Sequence, residues 1–109
     1  MVEGVVPMDK REVIKKVRKY ADLVRVHFPV RYVILYGSYA KGIVRKDSDI
    51  DIAVVVDKID EDILMSEVKL YRLKRKVDDR IEPVLLEKDN DKSGFLEEIL
   101  KTGEIVYSN

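Results

Sequence analysis

The sequence predicts an α/β fold of the α+β kind, a mixed β-sheet with helices packed on it. Three observations predict it. Apolar residues recur at helical spacing in one long N-terminal segment and two shorter later ones. Between them lie short runs rich in β-branched and aromatic residues, Tyr32-Val33-Ile34-Leu35-Tyr36 and Ile50-Asp51-Ile52-Ala53-Val54-Val55-Val56. The 109 residues, 46% of them hydrophobic, suffice for one core but not for two, so residues 1–109 are expected to form a single domain.

The elements follow in order. Residues 1–7 read as a loose arm ending at Pro7. Asp9-Lys10-Arg11-Glu12 has the form of a capping box, and Val13, Ile14, Val17, Tyr20, Ala21, Val24 and Phe28 make an apolar stripe behind it. A helix is expected over 9–27, stopped by Pro29, which disfavours helical geometry in the residue before it. Residues 31–36 read as a buried strand ending at Gly37, and 37–48 as a turn with a short helix. Residues 50–56 form the second strand. A helix over 60–76 is expected to turn Ile63, Leu64, Val68, Tyr71 and Val77 inward. Residues 80–87 read as a third strand, with Pro83 marking an edge or a bulge because it lacks an N–H. A last helix over 91–102, carrying Phe95, Leu96, Ile99 and Leu100, is expected to be capped by Gly103. Residues 104–107 are extended.

Composition excludes several functions. With no Cys there is no disulfide framework, thiolate metal site or cysteine nucleophile, and the single histidine, His27, makes a histidine metal cluster improbable. His27 reads as a helix-terminal side chain. No apolar run is long enough to span a membrane and the N-terminus lacks the apolar core of a secretory signal, so the expected compartment is the cytoplasm. A formal net charge of zero gives little general attraction to nucleic acid. The zero conceals a polarity. Eleven of the 21 Lys and Arg but four of the 21 Asp and Glu lie in residues 1–46, so that segment carries +7 and the remainder −7. Two readings stay open: solvated helix faces of opposite sign, or a basic surface that meets an acidic partner or a polyphosphate.

Chemistry concentrates in residues 37–51. Asp49 and Asp51 are two apart at the start of a predicted strand, so their side chains share one face while Ile50 and Ile52 take the other. Paired carboxylates repel, and a hard divalent cation relieves that repulsion. Aspartate is depleted in strands, so two of them there call for a reason. Gly37, directly after a buried strand, permits close approach of the backbone to a ligand. If a helix begins at Ser38, its first N–H groups face an anion. Lys41, Arg45 and Lys46 would add positive charge near a triphosphate. Tyr39 belongs either against a nucleotide or on the surface of the turn. Gly37 to Gly42 matches the opening of a P-loop, but Ile43-Val44 stands where Lys-Ser/Thr is needed. Residues 47–51 resemble an EF-hand opening, but Ile52 and Lys58 replace the required Gly and Glu.

Gly37-Ser38, ten residues, then Asp49-Ile50-Asp51 resembles the G-S-x10-D-x-D signature of the polymerase-β-like nucleotidyltransferases. In length the chain is similar to their minimal members. The resemblance implies that fold over nearly the whole chain. It also implies a third carboxylate on a neighbouring strand, for which Glu82 in Arg80-Ile81-Glu82-Pro83-Val84 is the candidate and Asp78 and Asp79 the rivals. By the same resemblance Asp49, Asp51 and Glu82 would be catalytic and would hold two Mg2+ ions. Gly37 and Ser38 would grip the β- and γ-phosphates of ATP or another nucleoside triphosphate. A nucleoside monophosphate would pass to a hydroxyl acceptor.

Larger members carry a further helical domain, so the acceptor site here is expected to be completed in trans by a homodimer partner or a second protein. Minimal nucleotidyltransferases resemble the antitoxin of a toxin–antitoxin pair that adds AMP to a tyrosine of a HEPN-domain toxin. Two alternatives are a non-catalytic antitoxin that neutralises by contact, and a small-molecule nucleotidyltransferase of the aminoglycoside type.

Overall fold

The computed structural model describes residues 9–42, 48–59 and 62–109. The N-terminal arm over 1–7, Arg45 and Lys46, and the expected start of the second long helix at residue 60 lie outside them.

Among the described residues eight elements follow in chain order: α1 (Lys10–His27), β1 (Val30–Tyr36), α2 (Ser38–Lys41), β2 (Ile50–Val56), α3 (Ile63–Lys74), β3 (Ile81–Glu87), α4 (Phe95–Thr102) and β4 (Glu104–Ser108). The strands form one sheet in the order β3-β2-β1-β4. β1 is antiparallel to both β2 and β4, while β2 and β3 run parallel. This is the mixed α+β sheet the sequence predicts.

Helix α1 begins as its capping box requires: the Asp9 carboxylate accepts a hydrogen bond from the Glu12 N–H at 2.9 Å. It ends at His27, and Phe28, next to Pro29, is extended. Val13, Val17, Tyr20, Ala21 and Val24 are buried on one side. Lys10, Arg11, Lys15, Arg18, Lys19 and Arg25 are exposed on the other, which favours the solvated-face reading of the basic segment.

The sheet separates two apolar clusters. On one face Val33, Leu35, Ile50, Ile52, Val54, Ile81 and Leu85 pack with α1 and with Leu70 and Leu73 of α3. On the other, Ile34, Ala53 and Val55 meet Leu96 and Ile99 of α4. Tyr20 joins the two helices of the first face, its hydroxyl donating to the Leu70 carbonyl at 2.9 Å inside the core.

Three expectations are corrected. First, α3 buries Ser66, Leu70 and Leu73, whereas Ile63, Leu64 and Tyr71 are exposed and Val68 is half-buried. The helix carries apolar residues around most of its circumference, and contact with α1 and β3 selects the 66/70/73 stripe. Second, α4 begins at Phe95, not at 91. Asp91 instead caps it from outside, its carboxylate accepting from the N–H groups of Leu96 and Glu97, each at 2.9 Å. Gly103 caps α4 as expected, with an extended backbone and its N–H donating to the Ile99 carbonyl at 2.7 Å. A Cβ there would lie 2.7 Å from the Ile99 carbonyl oxygen and 2.8 Å from that of Leu35, so packing of α4 on β1 is what excludes a side chain. Third, Tyr39 is neither on the surface nor open to a nucleotide. It is 1% exposed and belongs to the first core cluster.

Pro83 lies on β3, an edge strand, as its missing donor predicts. Among the described residues no helix is long and apolar enough to cross a membrane.

Candidate active site

Strand direction assembles the site. Because β1 is antiparallel to β2 and β3 parallel to it, the end of β1 and the starts of β2 and β3 meet at one end of the sheet. Tyr36 pairs with Asp51, and Asp51 with Glu82. These three share the face of Ile34, Ala53 and Val84, while their neighbours Leu35, Ile50, Ile52 and Ile81 are fully buried on the other. Neighbouring strands lie about 4.8 Å apart, so the Asp51 and Glu82 backbones are adjacent. Asp49 is exposed just before β2 begins.

Gly37 turns the chain out of β1 with φ +73° and leads into the single helical turn of α2. A Cβ at Gly37 would collide with Oδ2 of Asp51. The bend and the aspartate are therefore in direct contact. The first N–H groups of so short a helix have no intrahelical acceptor, which leaves them for an anion. Tyr39 roots α2 in the core. Its hydroxyl, among the described residues, is a buried oxygen with no hydrogen-bond partner.

Electrostatics mark the same spot. The Asp51 carboxyl is pushed above the usual carboxylate range, chiefly by burial and then by the negative charges of Asp49 and Glu82. The Tyr36 hydroxyl is raised by burial and by Asp51. The Tyr36 ring is held edge-on by Phe95 of α4, with centroids 5.3 Å apart. Tyr36 was missed by sequence reading, although its place opposite Asp51 follows once β1 and β2 are paired as antiparallel neighbours.

Glu82 points partly away. Its Oε2 accepts from the Tyr71 hydroxyl at 3.3 Å, and its Oε1 lies 4.0 Å from Lys74 Nζ. Among the described residues no three acidic or histidine side chains stand together as a ready-made metal cage. Even so, Asp51 and Glu82 pair across adjacent strands with Asp49 just before β2, burial and then the charges of Asp49 and Glu82 raise Asp51, and glycine leaves space against the Asp51 carboxylate. This donor set fits a divalent cation such as magnesium.

The rival acids fall elsewhere. Asp78 accepts from the Arg80 backbone N–H at 2.8 Å and from the Arg80 guanidinium at 3.1 and 2.8 Å, and pairs with Lys16 at 3.0 Å. These bonds, the Arg80 side chain first, hold its carboxyl well below the usual range against a smaller opposing effect of burial. Asp78 thus fastens α1 to the turn that launches β3. Asp79 is exposed on that turn, its carbonyl accepting from Lys74 at 2.8 Å. Asp78→Asn should destabilise the fold by about 1–3 kcal/mol. The sign with pH is fixed by the depressed value. The stabilisation is full above the unfolded carboxylate pKa and is lost as pH falls toward the lower folded one. Thermal unfolding below about pH 4 should therefore show the wild type losing stability more steeply than Asp78→Asn.

The fold is that of known proteins. A structure of a candidate nucleotidyltransferase from Sulfolobus solfataricus superposes with a TM-score of 0.68 at 21% identity, covering 92% of this chain and 84% of that one. A toxin–antitoxin structure with AMP-PNP gives 0.60 at 19% identity, covering 94% and 75%. A toxin–antitoxin mutant, MntA-HpeT, in which two aspartates separated by one residue are replaced by glutamate, gives 0.58 at 17%, covering 94% and 75%. Among curated proteins none matches the sequence. The family model described as polymerase beta, nucleotidyltransferase, matches residues 15–109, which takes in all but the first turn of α1 and every strand. The chain therefore belongs to the polymerase beta nucleotidyltransferase family and is a nucleotidyltransferase.

Proposed function

We propose that the chain transfers AMP from ATP to a tyrosine of a HEPN-domain toxin and so acts as its antitoxin, with Asp49, Asp51 and Glu82 as the catalytic, metal-holding carboxylates. The observation that carries the site assignment is the contact of Gly37 with the Asp51 carboxylate, at a point where burial, and then the charges of Asp49 and Glu82, raise that carboxyl. The likeness to a toxin–antitoxin structure with AMP-PNP supports the nucleotide and the partner. The paired Asp-to-Glu replacement in the second toxin–antitoxin structure has the spacing of Asp49 and Asp51, which supports their weight in the reaction.

In this reading the chain is one nucleotidyltransferase domain acting in the cytoplasm, and the acceptor hydroxyl comes from a tyrosine of the toxin. Gly37 and Ser38 position the β- and γ-phosphates with backbone N–H groups and the serine hydroxyl. Asp49, Asp51 and Glu82 would hold two Mg2+ ions, which supply charge neutralisation of the triphosphate and a lowered pKa for the acceptor hydroxyl. The acceptor oxygen bonds to the α-phosphorus, the bond from that phosphorus to the bridging oxygen breaks, and pyrophosphate leaves. The acceptor proton is lost to the acidic cluster. What the protein adds is alignment and pre-set charge.

The test is to incubate the protein with ATP, Mg2+ and the HEPN-domain protein encoded beside it, then weigh the latter. The expected result is the added mass of adenylate on a tyrosine, absent with Asp51→Asn. A partner neutralised without any gain in mass, and equally by a variant lacking all three carboxylates, would replace transfer by contact.

A further inference from the structure

We infer that Tyr71 and Lys74 are positioning residues that hold Glu82 in a resting place, and that a divalent cation must draw Glu82 away from them to complete the acidic cluster. The inference rests on the metal-holding reading of Asp49, Asp51 and Glu82 proposed above.

By register Glu82 belongs with Asp51, on the same face of adjacent parallel strands. Its carboxylate does not stay there. One oxygen accepts from the Tyr71 hydroxyl at 3.3 Å, and the other lies 4.0 Å from the Lys74 ammonium. Both partners come from α3, which lies beside β3.

The lysine is itself fixed. It donates to the Asp79 carbonyl at 2.8 Å, sits 5.1 Å from the centroid of the Tyr71 ring, and has a side chain only 12% exposed. Tyr71, Lys74 and the turn before β3 thus form a braced cradle for Glu82. Repulsion from Asp49 and Asp51 pushes Glu82 in the same direction. With Glu82 so placed, no three acidic groups among the described residues enclose a cation.

Two arrangements of one side chain then compete: Glu82 on Tyr71 and Lys74, or Glu82 beside the aspartates with a cation between them. The apparent affinity for the cation is reduced by the fraction of molecules in the resting arrangement. Removing only the Tyr71 hydroxyl shifts that fraction without touching a cation ligand. Tyr71 is 41% exposed, so phenylalanine fits without repacking the core.

The test is a titration of the intact protein, labelled with 13C at tyrosine, with MgCl2 and no nucleotide, followed by NMR. The Tyr71 ring signal is the one lost in Tyr71→Phe. In the wild type this signal should move as Mg2+ binds, because the hydroxyl loses its carboxylate. Tyr71→Phe should bind Mg2+ about three- to tenfold more tightly, with its thermal midpoint in the absence of Mg2+ close to the wild type's. Asp51→Asn should not bind. Equal or weaker Mg2+ binding by Tyr71→Phe would overturn the hold while leaving the metal site standing. A wild type that does not bind Mg2+ would remove the metal reading and the hold with it.

Discussion

Asp51→Asn should abolish nucleotidyl transfer while making the protein more stable. The two effects have one cause. Asp51 is half-buried, and burial together with the charges of Asp49 and Glu82 raises its carboxyl above the usual range. A group whose folded pKa is raised takes up its proton more readily in the folded state, so its ionised form at neutral pH counts against folding. Asparagine keeps the shape and removes the charge. The thermal midpoint at pH 7 should therefore rise, and the gain should shrink as pH falls toward the ordinary carboxylate pKa, where the wild-type carboxyl becomes neutral too.

The loss of activity is the other side of this. A cation bound between carboxylates supplies several kcal/mol of charge stabilisation, and each 1.36 kcal/mol is tenfold in rate. Transfer should fall by about 10³-fold or more. Added Mg2+ should raise the midpoint of the wild type, by binding the folded state alone, and not that of Asp51→Asn. A variant that transfers at the wild-type rate, or that unfolds at lower temperature at pH 7, would contradict the placing of this charge.

How much of this the sequence reveals depends on how local the deciding contact is. The second strand is legible to the residue, Ile50–Val56, because a run of β-branched residues carries its own extended preference. The capping box of α1 and the stop before Pro29 are legible for the same reason. The contact of Gly37 with Asp51 and the pairing of Asp51 with Glu82 are foreshadowed only by the resemblance to the family signature, not by any local preference of those residues. Where packing decides, the pattern fails. The phase of α3 is ambiguous because Ile63, Leu64, Met65, Val68, Leu70, Tyr71 and Leu73 allow more than one inward stripe. Tyr39, one residue from Ser38, looks like a turn residue and turns out to root α2 in the core. Gly103 reads as the cap of α4 and is one, but that it also lets α4 touch β1 is visible only in the packing. The hold on Glu82 joins residues 71, 74 and 82 through side chains alone, and no periodicity announces it.

Gly37→Ala should cost both stability and activity, and the pattern of the two should show why glycine stands there. The backbone at Gly37, φ +73° and ψ −144°, is one that residues with a Cβ avoid, at a cost of about 1–3 kcal/mol. Strain is only part of the effect. The new Cβ would collide with Asp51 Oδ2 and approach its Cγ to 3.2 Å and its Cβ to 3.4 Å. Either the bend must lift away from β2 or the carboxylate must turn, and each displaces a group proposed to hold the triphosphate or its metal. A shift of about 1 Å in a positioning group costs about a hundredfold in rate, so transfer should fall by at least that much. Gly42 supplies the control. It too has a positive φ, +77°, but in the ordinary left-handed region and with nothing among the described residues within 4 Å of a built Cβ. Gly42→Ala should destabilise by about 1 kcal/mol and leave transfer within a fewfold of the wild type. A double-mutant cycle separates the causes, since side chains in contact fail to add. With Asp51→Ala in place the collision with the carboxylate is gone, and the destabilisation by Gly37→Ala should drop toward the strain alone. If the two substitutions add, Gly37 serves the turn only, and the bend is not built around the aspartate.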